Sequence, residues 1–320
     1  MIHIDRTDLS GNAHTWALVL AGGEGMRLRD LTRHVYGEDR PKQYAVLTGG
    51  KSLLRQTLDR FGLSIPARRT VVVTMAGQGA YLSAELRLLS PVPHVLEQPK
   101  DRGTAAAILL AAHWIRMRDP DAVIVVTPSD HFVENDAAFM ARIGEVIEVA
   151  DRRREQMVLL GAQPTEPETD YGWMELGAKQ PGLGGTVLHR VDRFVEKPDA
   201  ATARMLFEAG ALWNTFVFGA RAGALTDMGR KCLPSLHERL AGLDRFLSTE
   251  HERWAIAQAY EFAPRASFSR ALLEQCPDKL VAMRLSEVSW CDLGTSRRVL
   301  RKLGELGVKP DWLTTLPHAG

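Results

Sequence analysis

The segment AVIVVT, at residues 122–127, consists almost entirely of apolar and β-branched side chains. Such side chains favour strands, and a strand that is apolar on both faces must be covered on both faces. This pattern is typical of a central strand in a parallel sheet. It limits the chain to folds in which helices pack on the two sides of one sheet.

Further strand-like and helix-like segments alternate along the first half of the chain. The other apolar, β-favouring runs are residues 16–21, 70–74, 92–96 and 157–162. The segments with helical periodicity are residues 52–61, 82–89, 103–117 and 136–152. This alternation predicts an α/β fold with a Rossmann-like, mostly parallel sheet and helices on both faces. In such sheets ligands bind beyond the carboxyl ends of the strands.

The pattern changes after residue 163, where strands and helices no longer alternate regularly. The strand-like runs are now residues 171–176, 186–194, 212–218, 280–284 and 288–290, and the helical ones 200–209, 234–263 and 267–275. The first three runs predict a smaller antiparallel lobe. The expected division is a lead-in (1–14), a main domain (15–295) with halves at 15–163 and 164–295, and a C-terminal helical tail (296–320).

Composition argues against several classes of function. The formal charge of +1 gives no basic field for nucleic acid or an anionic membrane, so any phosphate recognition must be local. No apolar run reaches the ~20 residues that span a bilayer, and the first residues lack the apolar core of a signal peptide. Cys232, Cys276 and Cys291 lack metal-type spacing, which predicts buried, reduced thiols in a cytoplasmic protein. A homodimer is left open.

The predicted strand at residues 16–21 runs directly into a loop of glycines, AGGEG. Gly22, Gly23 and Gly25 have no side chains, so a ligand can approach the backbone there. Arg27 follows the glycines and Lys42 comes at the end of the same stretch. A phosphate chain would satisfy both cations, which makes the loop a candidate phosphate site.

Two better-known glycine motifs do not fit this loop. A P-loop needs Gly-Lys-Ser/Thr after the turn, and the dinucleotide motif needs a third glycine where this chain has Leu28. Taken alone, AGGEG could also be nothing more than a tight turn.

Two aspartates in predicted turns are candidates for a metal site. Asp130 comes just after the strand at residues 122–127, and Asp292 lies in the turn SWCDLG. Carboxylate oxygens are preferred ligands of magnesium, and the two residues could share one ion. Each could equally be an Asx-turn or a helix cap. A hydrolase triad within Ser129-Asp130-His131 is not expected, because adjacent side chains cannot pass a proton in line, so His131 is expected to pack or to fix the loop.

A second group of polar residues lies in the predicted antiparallel lobe. Glu196 and Lys197 follow the strand at residues 186–194. They could be a solvated surface pair, or a clamp in which the glutamate accepts sugar hydroxyls and the lysine binds a phosphate. Trp213 could be a core residue followed by a turn at Asn214, or the Asn214 amide could be directed at a sugar hydroxyl. No HExxH or paired CxxC spacing occurs, so a zinc site is not expected.

Taken in order, these segments resemble the sugar-1-phosphate nucleotidylyltransferases, and most closely the mannose-1-phosphate guanylyltransferases. The matching segments occur in the family's order and cover roughly residues 15–295. They are LAGGEGMRL (20–28), PKQY (41–44), RGTAAAI (102–108), PSDH (128–131), PETDYGWMELG (167–177), VDRFVEKPDAATA (191–203), LWNTFVF (212–218) and SWCDLG (289–294). An ordered set of this kind is more specific than any single motif.

The resemblance implies the nucleotide-diphospho-sugar transferase fold and a role for each matching residue. The expected nucleotide-binding residues are Leu20, Ala21, Gly22, Gly23, Gly25, Arg27, Lys42, Arg102, Gly103, Thr104, Ser129 and Asp130. The expected sugar-phosphate-binding residues are Tyr171, Gly172, Glu196, Lys197 and Asn214. The expected Mg²⁺ ligands are Asp130 and Asp292, and the expected catalytic residues are Arg27, Lys42 and Asp130. The implied substrates are GTP and a sugar-1-phosphate, most closely mannose-1-phosphate, giving GDP-mannose and pyrophosphate.

The chain departs from the family pattern at three positions. Asp30 stands where the family usually has proline, Phe216 where it has glycine, and Ser269 where it has an acidic residue. The last two belong to the sugar side, so another sugar-1-phosphate or nucleotide is an alternative substrate. A non-catalytic nucleotide-sugar sensor is an alternative of another class, because fold does not fix function. The intact cations and aspartates favour the enzyme.

Overall fold

A computed structural model describes residues 13–87, 89–182 and 185–315, so residues 1–12 of the lead-in and 316–320 of the tail lie outside the described residues. The strands are β1 (Thr15–Leu20), β2 (Thr70–Met75), β3 (His94–Gln98), β4 (Val123–Pro128), β5 (Phe132–Val133), β6 (Met157–Ala162), β7 (Gly172–Pro181), β8 (Val187–Glu196), β9 (Leu212–Arg221), β10 (Leu280–Arg284) and β11 (Trp290–Cys291). The α-helices are α1 (Arg29–Tyr36), α2 (Leu53–Gly62), α3 (Gly79–Leu86), α4 (Gly103–Arg118), α5 (Asp136–Arg152), α6 (Ala200–Glu208), α7 (Ala222–Cys232), α8 (Pro234–Ala241), α9 (Glu252–Glu261) and α10 (Ser296–Leu306).

One nine-stranded sheet forms the centre of the described chain, with the strand order β3-β2-β1-β4-β9-β6-β10-β8-β7. β1 is parallel to β2 and β4, and β2 is parallel to β3. β9 lies antiparallel between β4 and β6, and β10 is parallel to β6. The α/β class is therefore confirmed, but the sheet is mixed rather than mostly parallel.

The strands of the predicted antiparallel lobe extend this same sheet. β7 and β8 form an antiparallel hairpin, β8 pairs with β10, and β7 also pairs with β9. β9 is buried along most of its length, so its composition resembles that of a buried parallel strand. Its direction is set by long-range pairing, which local patterning does not report. The division of the main domain at residue 164 stays a prediction.

Helices cover both faces of the sheet, as the composition of β4 requires. On one face, α4 and α7–α9 pack over the sheet, where Leu18 and Ile124 are fully buried. On the other face, α5 packs Phe139 and Ile143 over Val125. Each such buried aliphatic or aromatic side chain stabilises the fold by roughly 1.5–3 kcal/mol. Within the described ranges, no helix has the length and apolar character needed to cross a bilayer.

The structure differs from the predicted elements in several places. α7 was not expected, and its Gly229 permits close packing on α4, because a Cβ there would lie 2.8 Å from Cδ2 of Leu109. The helical segments predicted within residues 234–263 are α8 and α9. β3 begins later than predicted, after Pro93, which cannot donate a backbone hydrogen bond to a neighbouring strand.

The predicted C-terminal tail begins with α10, which is packed into the domain. Val299 and Leu303 of this helix are buried in a cluster with Leu28 and Leu31, which follow the glycine loop. The helix therefore has a fixed position next to that loop. This packing is what allows α10 to contribute to the candidate site.

Candidate active site

The glycine loop is held in place by a buried glutamine. Nε2 of Gln43 donates to the carbonyl oxygens of Ala21 (2.8 Å) and Gly23 (2.9 Å), and Gln43 is only 2% exposed. Gly25 has a left-handed φ of 62°, and a Cβ there would lie 3.0 Å from the backbone nitrogen of Lys42. Only glycine fits that position without strain. The loop and the Lys42 segment therefore fold as one preformed unit.

The ends of β1 and β4 meet beside this loop. Oγ of Ser129 donates to the carbonyl oxygen of Leu20 at 2.7 Å. A Cβ on Gly22 would lie 3.0 Å from Nε2 of Gln98, whereas a Cβ on Gly23 would meet nothing within 4 Å. Gly23 therefore presents open backbone. The predicted location of the site at the carboxyl ends of the strands matches this arrangement.

Lys42 brings the two candidate metal ligands together. Its Nζ lies 3.1 Å from Oδ2 of Asp130 and donates a hydrogen bond to the backbone carbonyl oxygen of Asp292. Lys42 itself is 5% exposed. Lys42 thus contacts the carboxylate of Asp130 and the backbone of Asp292 beside the glycine loop.

Arg27, the second predicted phosphate-binding cation, faces Asp292. Its Nη1 lies 2.6 Å from Oδ2 of Asp170, and its Nη2 lies 4.0 Å from Oδ2 of Asp292. The side chain of Arg27 is half-exposed. Because exposed ion pairs contribute only about 0–1 kcal/mol, Arg27 can exchange Asp170 for a phosphate at little cost.

Asp130 is accessible and is not a helix cap. The cap of α5 is Asn135, whose side chain accepts from the nitrogen of Ala138. Burial would raise the pKa of the Asp130 carboxyl, but Lys42 and His131 outweigh it and the pKa is lowered. The ring of His131 packs edge-on against another aromatic side chain, as expected for a packing residue. The Asp130 carboxylate is therefore ionised and partly exposed.

Asp292 is held by a network of buried donors. Its Oδ1 accepts from Oη of Tyr171 (2.7 Å), the nitrogen of Gly294 (3.0 Å) and Nη1 of Arg298 (3.1 Å). Its Oδ2 accepts from Nη1 of Arg298 at 3.1 Å. Burial would raise the pKa of this carboxyl, but Lys42 and Arg298 outweigh it and the pKa is lowered.

Arg298 is a site residue that the sequence patterns did not indicate. Its Nη2 donates to Oε2 of Glu168, and its guanidinium carbon lies 4.6 Å from the centroid of the Tyr171 ring. The Arg298 side chain is 8% exposed. An arginine in a helix rich in cations carries no local signal of such a role. The only hint was Glu168, in the matching segment PETDYG.

The predicted nucleotide segment at the start of α4 is bonded to another part of the protein. Nε of Arg102 donates to the carbonyl oxygen of Tyr260 at 2.9 Å, and Oγ1 of Thr104 accepts from the nitrogen of Phe268 at 2.8 Å. Gly103 has a left-handed φ of 78°. These polar side chains already have protein partners, so their contact with a nucleotide stays a prediction.

The predicted sugar-binding residues converge from three strands. A Cβ on Gly172 would lie 2.8 Å from Oε2 of Glu196 and 3.3 Å from Cβ of Asn214. The backbone nitrogen of Lys197 donates to the carbonyl oxygen of Tyr171 at 3.0 Å. Lys197 has a φ of 53°, an uncommon conformation for a residue other than glycine. Such local strain is often found at functional sites.

The two sugar-side departures from the family pattern adjoin this group. Burial raises the pKa of the Glu196 carboxyl, although a hydrogen bond with Ser269 opposes the shift. The backbone nitrogen of Phe216 donates to Oδ1 of Asn214 at 3.1 Å. Phe216 keeps a φ of 60°, and its ring packs edge-on against that of Phe268. The backbone thus retains a glycine-like conformation while the side chain adds bulk.

A family comparison agrees with this geometry. Residues 16–303 match the family described as nucleotidyl transferase. The chain belongs to this family.

Named relatives of this chain support the same family assignment. The xanthan biosynthesis protein XanB of Xanthomonas campestris pv. campestris (strain B100) is 32% identical over 281 residues, which are 87% of this chain and 57% of XanB. Mannose-1-phosphate guanylyltransferase of Escherichia coli (strain K12) is 28% identical over 291 residues, which are 88% of this chain and 58% of that protein. The chain thus spans a little over half the length of these relatives.

A solved structure shows the same fold. The crystal structure described as mannose-1-phosphate geranyltransferase from Thermus thermophilus is 32% identical to this chain, with a TM-score of 0.76. The similarity covers 90% of this chain and 79% of that one. The expected resemblance to nucleotidyltransferases of the mannose-1-phosphate guanylyltransferase kind is therefore confirmed at the level of the family.

The donor set of this site fits a shared magnesium ion. Among residues whose placement is described, no three or more His, Cys, Asp or Glu side chains form a metal-binding group. Mg²⁺ usually takes one or two carboxylates and completes its shell with substrate phosphates and water. Asp130 is accessible, and Oδ2 of Asp292 has fewer donors than Oδ1. Two carboxylates of this kind match that requirement.

Proposed function

We propose that this chain transfers a nucleotidyl group from a nucleoside triphosphate to a sugar-1-phosphate and releases pyrophosphate. The preferred pair is GTP and mannose-1-phosphate, giving GDP-mannose. The observation that supports the reaction most strongly is the contact of Lys42 with both Asp130 and Asp292 beside an open glycine backbone. The name of the Escherichia coli relative supports the choice of substrates.

In the proposed reaction, an oxygen of the sugar phosphate attacks the α-phosphorus of the nucleotide. The new P–O bond forms as the bond between the α-phosphorus and the pyrophosphate oxygen breaks. The attacking oxygen carries no proton at neutral pH, so the site needs positioning and charge stabilisation rather than a base. Lys42 and Arg27 bind the phosphates and stabilise the charge that develops on the leaving group.

The remaining residues hold the two substrates in register. A Mg²⁺ ion on Asp130 and Asp292 would neutralise phosphate charge. Glu196 and Asn214 accept or donate hydrogen bonds to sugar hydroxyls. Lys197 binds the sugar phosphate: its side chain is exposed, and its charge acts on the neighbouring Glu196.

The test is a matrix of the common nucleoside triphosphates against mannose-, glucose-, galactose- and fucose-1-phosphate. Pyrophosphate release by the purified protein in Mg²⁺ is measured for each pair. GTP with mannose-1-phosphate is expected to give the highest kcat/KM. A different preferred pair would overturn the choice of substrates. Binding of GDP-mannose without turnover of any pair would favour a nucleotide-sugar sensor.

A further inference from the structure

The two oxygens of the Asp292 carboxylate have different surroundings. Oδ1 accepts three hydrogen bonds, from Tyr171, Gly294 and Arg298. Oδ2 accepts one, from Arg298, and lies 4.0 Å from Nη2 of Arg27. A carboxylate oxygen has two lone pairs, so Oδ2 keeps capacity for another partner. That free capacity lies on the side of the predicted phosphate-binding cation.

The position of Arg298 does not depend on Asp292. Its Nη2 bonds to Glu168, and its backbone nitrogen is capped by Oγ1 of Thr295 at 3.3 Å. The neighbouring Val299 and Leu303 anchor α10 in the cluster beside the glycine loop. Arg298 is therefore held in position by contacts other than the one with Asp292.

We propose that Arg298 is a positioning residue that fixes the Asp292 carboxylate with Oδ2 directed toward the phosphate and Mg²⁺ site. This inference rests on the proposed function. One nitrogen of the guanidinium serves Asp292 and the other serves Glu168, a geometry that lysine with its single nitrogen cannot reproduce. Residues behind a metal ligand commonly fix its orientation in this way.

Gly294 provides a second observation that points to the same oxygen. A Cβ at this position would lie 2.3 Å from Oδ2 of Asp292 and 2.9 Å from Nη1 of Arg298. The turn therefore has no room for a side chain where the arginine and the aspartate meet. Glycine at this position is therefore what allows the carboxylate and the guanidinium to keep their contact.

The test compares Arg298→Lys with a matched control, Arg301→Lys. Arg301 lies on the same helix, is half-exposed, and pairs with Glu166 at 3.3 Å rather than with Asp292. Mn²⁺ binding to the nucleotide-free protein is measured by electron paramagnetic resonance, and pyrophosphate release is measured in Mg²⁺. For Arg298→Lys, Mn²⁺ affinity and kcat are expected to fall about 10-fold, with the KM for GTP within about 2-fold. Arg301→Lys should match the wild type.

Because lysine keeps the charge, such a loss reports the geometry of the guanidinium. Wild-type Mn²⁺ affinity and kcat in Arg298→Lys would overturn the inference. Tighter Mn²⁺ binding by Arg298→Met would also overturn it, since Arg298 would then compete with the cation. If thermal unfolding shows that Arg298→Lys does not fold, Glu168→Gln is used instead, because it weakens the contact that holds Arg298. Glu168→Gln should then lower the affinity for Mn²⁺. An unchanged affinity would refute the positioning role of Arg298.

The proposed function is judged separately. A wild-type protein that binds Mn²⁺ but releases no pyrophosphate with any substrate pair would refute the proposed reaction and leave the comparison of Mn²⁺ affinities valid. If the wild type releases pyrophosphate and Asp292→Asn binds Mn²⁺ as tightly as the wild type does, the role of Arg298 is refuted and the proposed reaction stands.

Discussion

Nζ of Lys42 donates a hydrogen bond to the carbonyl oxygen of Asp292, a residue 250 positions away in the chain. The same nitrogen lies 3.1 Å from Oδ2 of Asp130. A buried ammonium group without partners would cost several kcal/mol, so these contacts are a condition for folding as well as for binding. These contacts join the glycine loop, the end of β4 and the turn at Asp292-Leu293-Gly294 into one site.

The two aspartates should differ in what they contribute to stability. Asp130→Ala is expected to lower kcat by about 10³-fold and to destabilise the protein less than Asp292→Ala does, because Lys42 loses one partner but keeps the carbonyl oxygen of Asp292. Asp292→Ala should cause a similar loss of kcat and also destabilise the protein by about 3 kcal/mol, because Arg298 would lose a buried partner. Pyrophosphate release and urea unfolding measure the two effects.

Asp227→Ala is the control for both variants, since Asp227 is exposed on α7. It should change neither activity nor stability. Full activity in both active-site variants would show that the carboxylates hold no essential ion. Equal free energies of unfolding in Asp130→Ala and Asp292→Ala would contradict the network around Asp292.

Gly23→Ala tests whether a nucleotide approaches the open backbone. A Cβ at Gly23 meets no protein atom within 4 Å, so the melting temperature should not change. A methyl group there would obstruct a phosphate, and the KM for GTP is expected to rise about 10-fold. Gly49→Ala is the control, because its Cβ also meets nothing within 4 Å. An unchanged KM in Gly23→Ala would place the nucleotide elsewhere.

Elements set by local chemistry were predicted well. The helix expected at residues 136–152 is α5, Asp136–Arg152, because Asn135 caps its first turn and its apolar positions repeat with helical spacing. Asp130 follows the carboxyl end of β4, and the glycine loop at the carboxyl end of β1 is bonded through Gln43 to the segment that carries Lys42, so the two residues meet. These features depend on short segments and on a general rule of α/β folds.

Features set by long-range pairing were missed. The antiparallel insertion of β9 between β4 and β6 depends on which edges are free once the other strands have paired. The role of Arg298 depends on where α10 packs, and an arginine in the segment TSRRVLRK has no distinctive pattern. Phe216 shows a related limit, because its glycine-like φ of 60° is imposed by the surrounding strands against its own preference.

Lys197→Ala tests the sugar-phosphate site. Because the side chain of Lys197 is exposed, the melting temperature should change little. A charge-assisted hydrogen bond contributes about 1.5–3 kcal/mol, so the KM for the sugar-1-phosphate is expected to rise roughly 10- to 100-fold. The KM for GTP should stay constant. Lys179→Ala, an exposed lysine of β7, is the control.

If Lys197→Ala raised the KM values of both substrates equally, Lys197 would act on the nucleotide phosphates as well. If it raised neither, the surface-pair interpretation of Glu196 and Lys197 would be correct. The control distinguishes a local contact from a general loss of positive charge, since Lys179→Ala removes the same charge from the hairpin that precedes Lys197.

Stability should depend on pH through a histidine outside the site. His113 of α4 is buried, and its ring centroid lies 5.0 Å from that of His237. Burial, with His237 and Arg116 nearby, lowers the pKa of His113 from 6.5 to about 4. The unfolded chain therefore takes up a proton below about pH 6.5, whereas the folded chain does not until about pH 4, so stability falls as the pH drops through this window.

Urea unfolding at pH 7 and about pH 4.5 measures this dependence, which is expected to amount to about 2–3 kcal/mol for His113. In His113→Gln the loss over this interval should be smaller by that amount, whereas His251→Gln, an exposed residue, should behave as the wild type. The pKa values of Asp130 and Asp292 are lowered, so the stabilisation they provide is lost only at more acidic pH and does not enter this window. The same pH dependence in His113→Gln and in the wild type would therefore rule out His113 as its source.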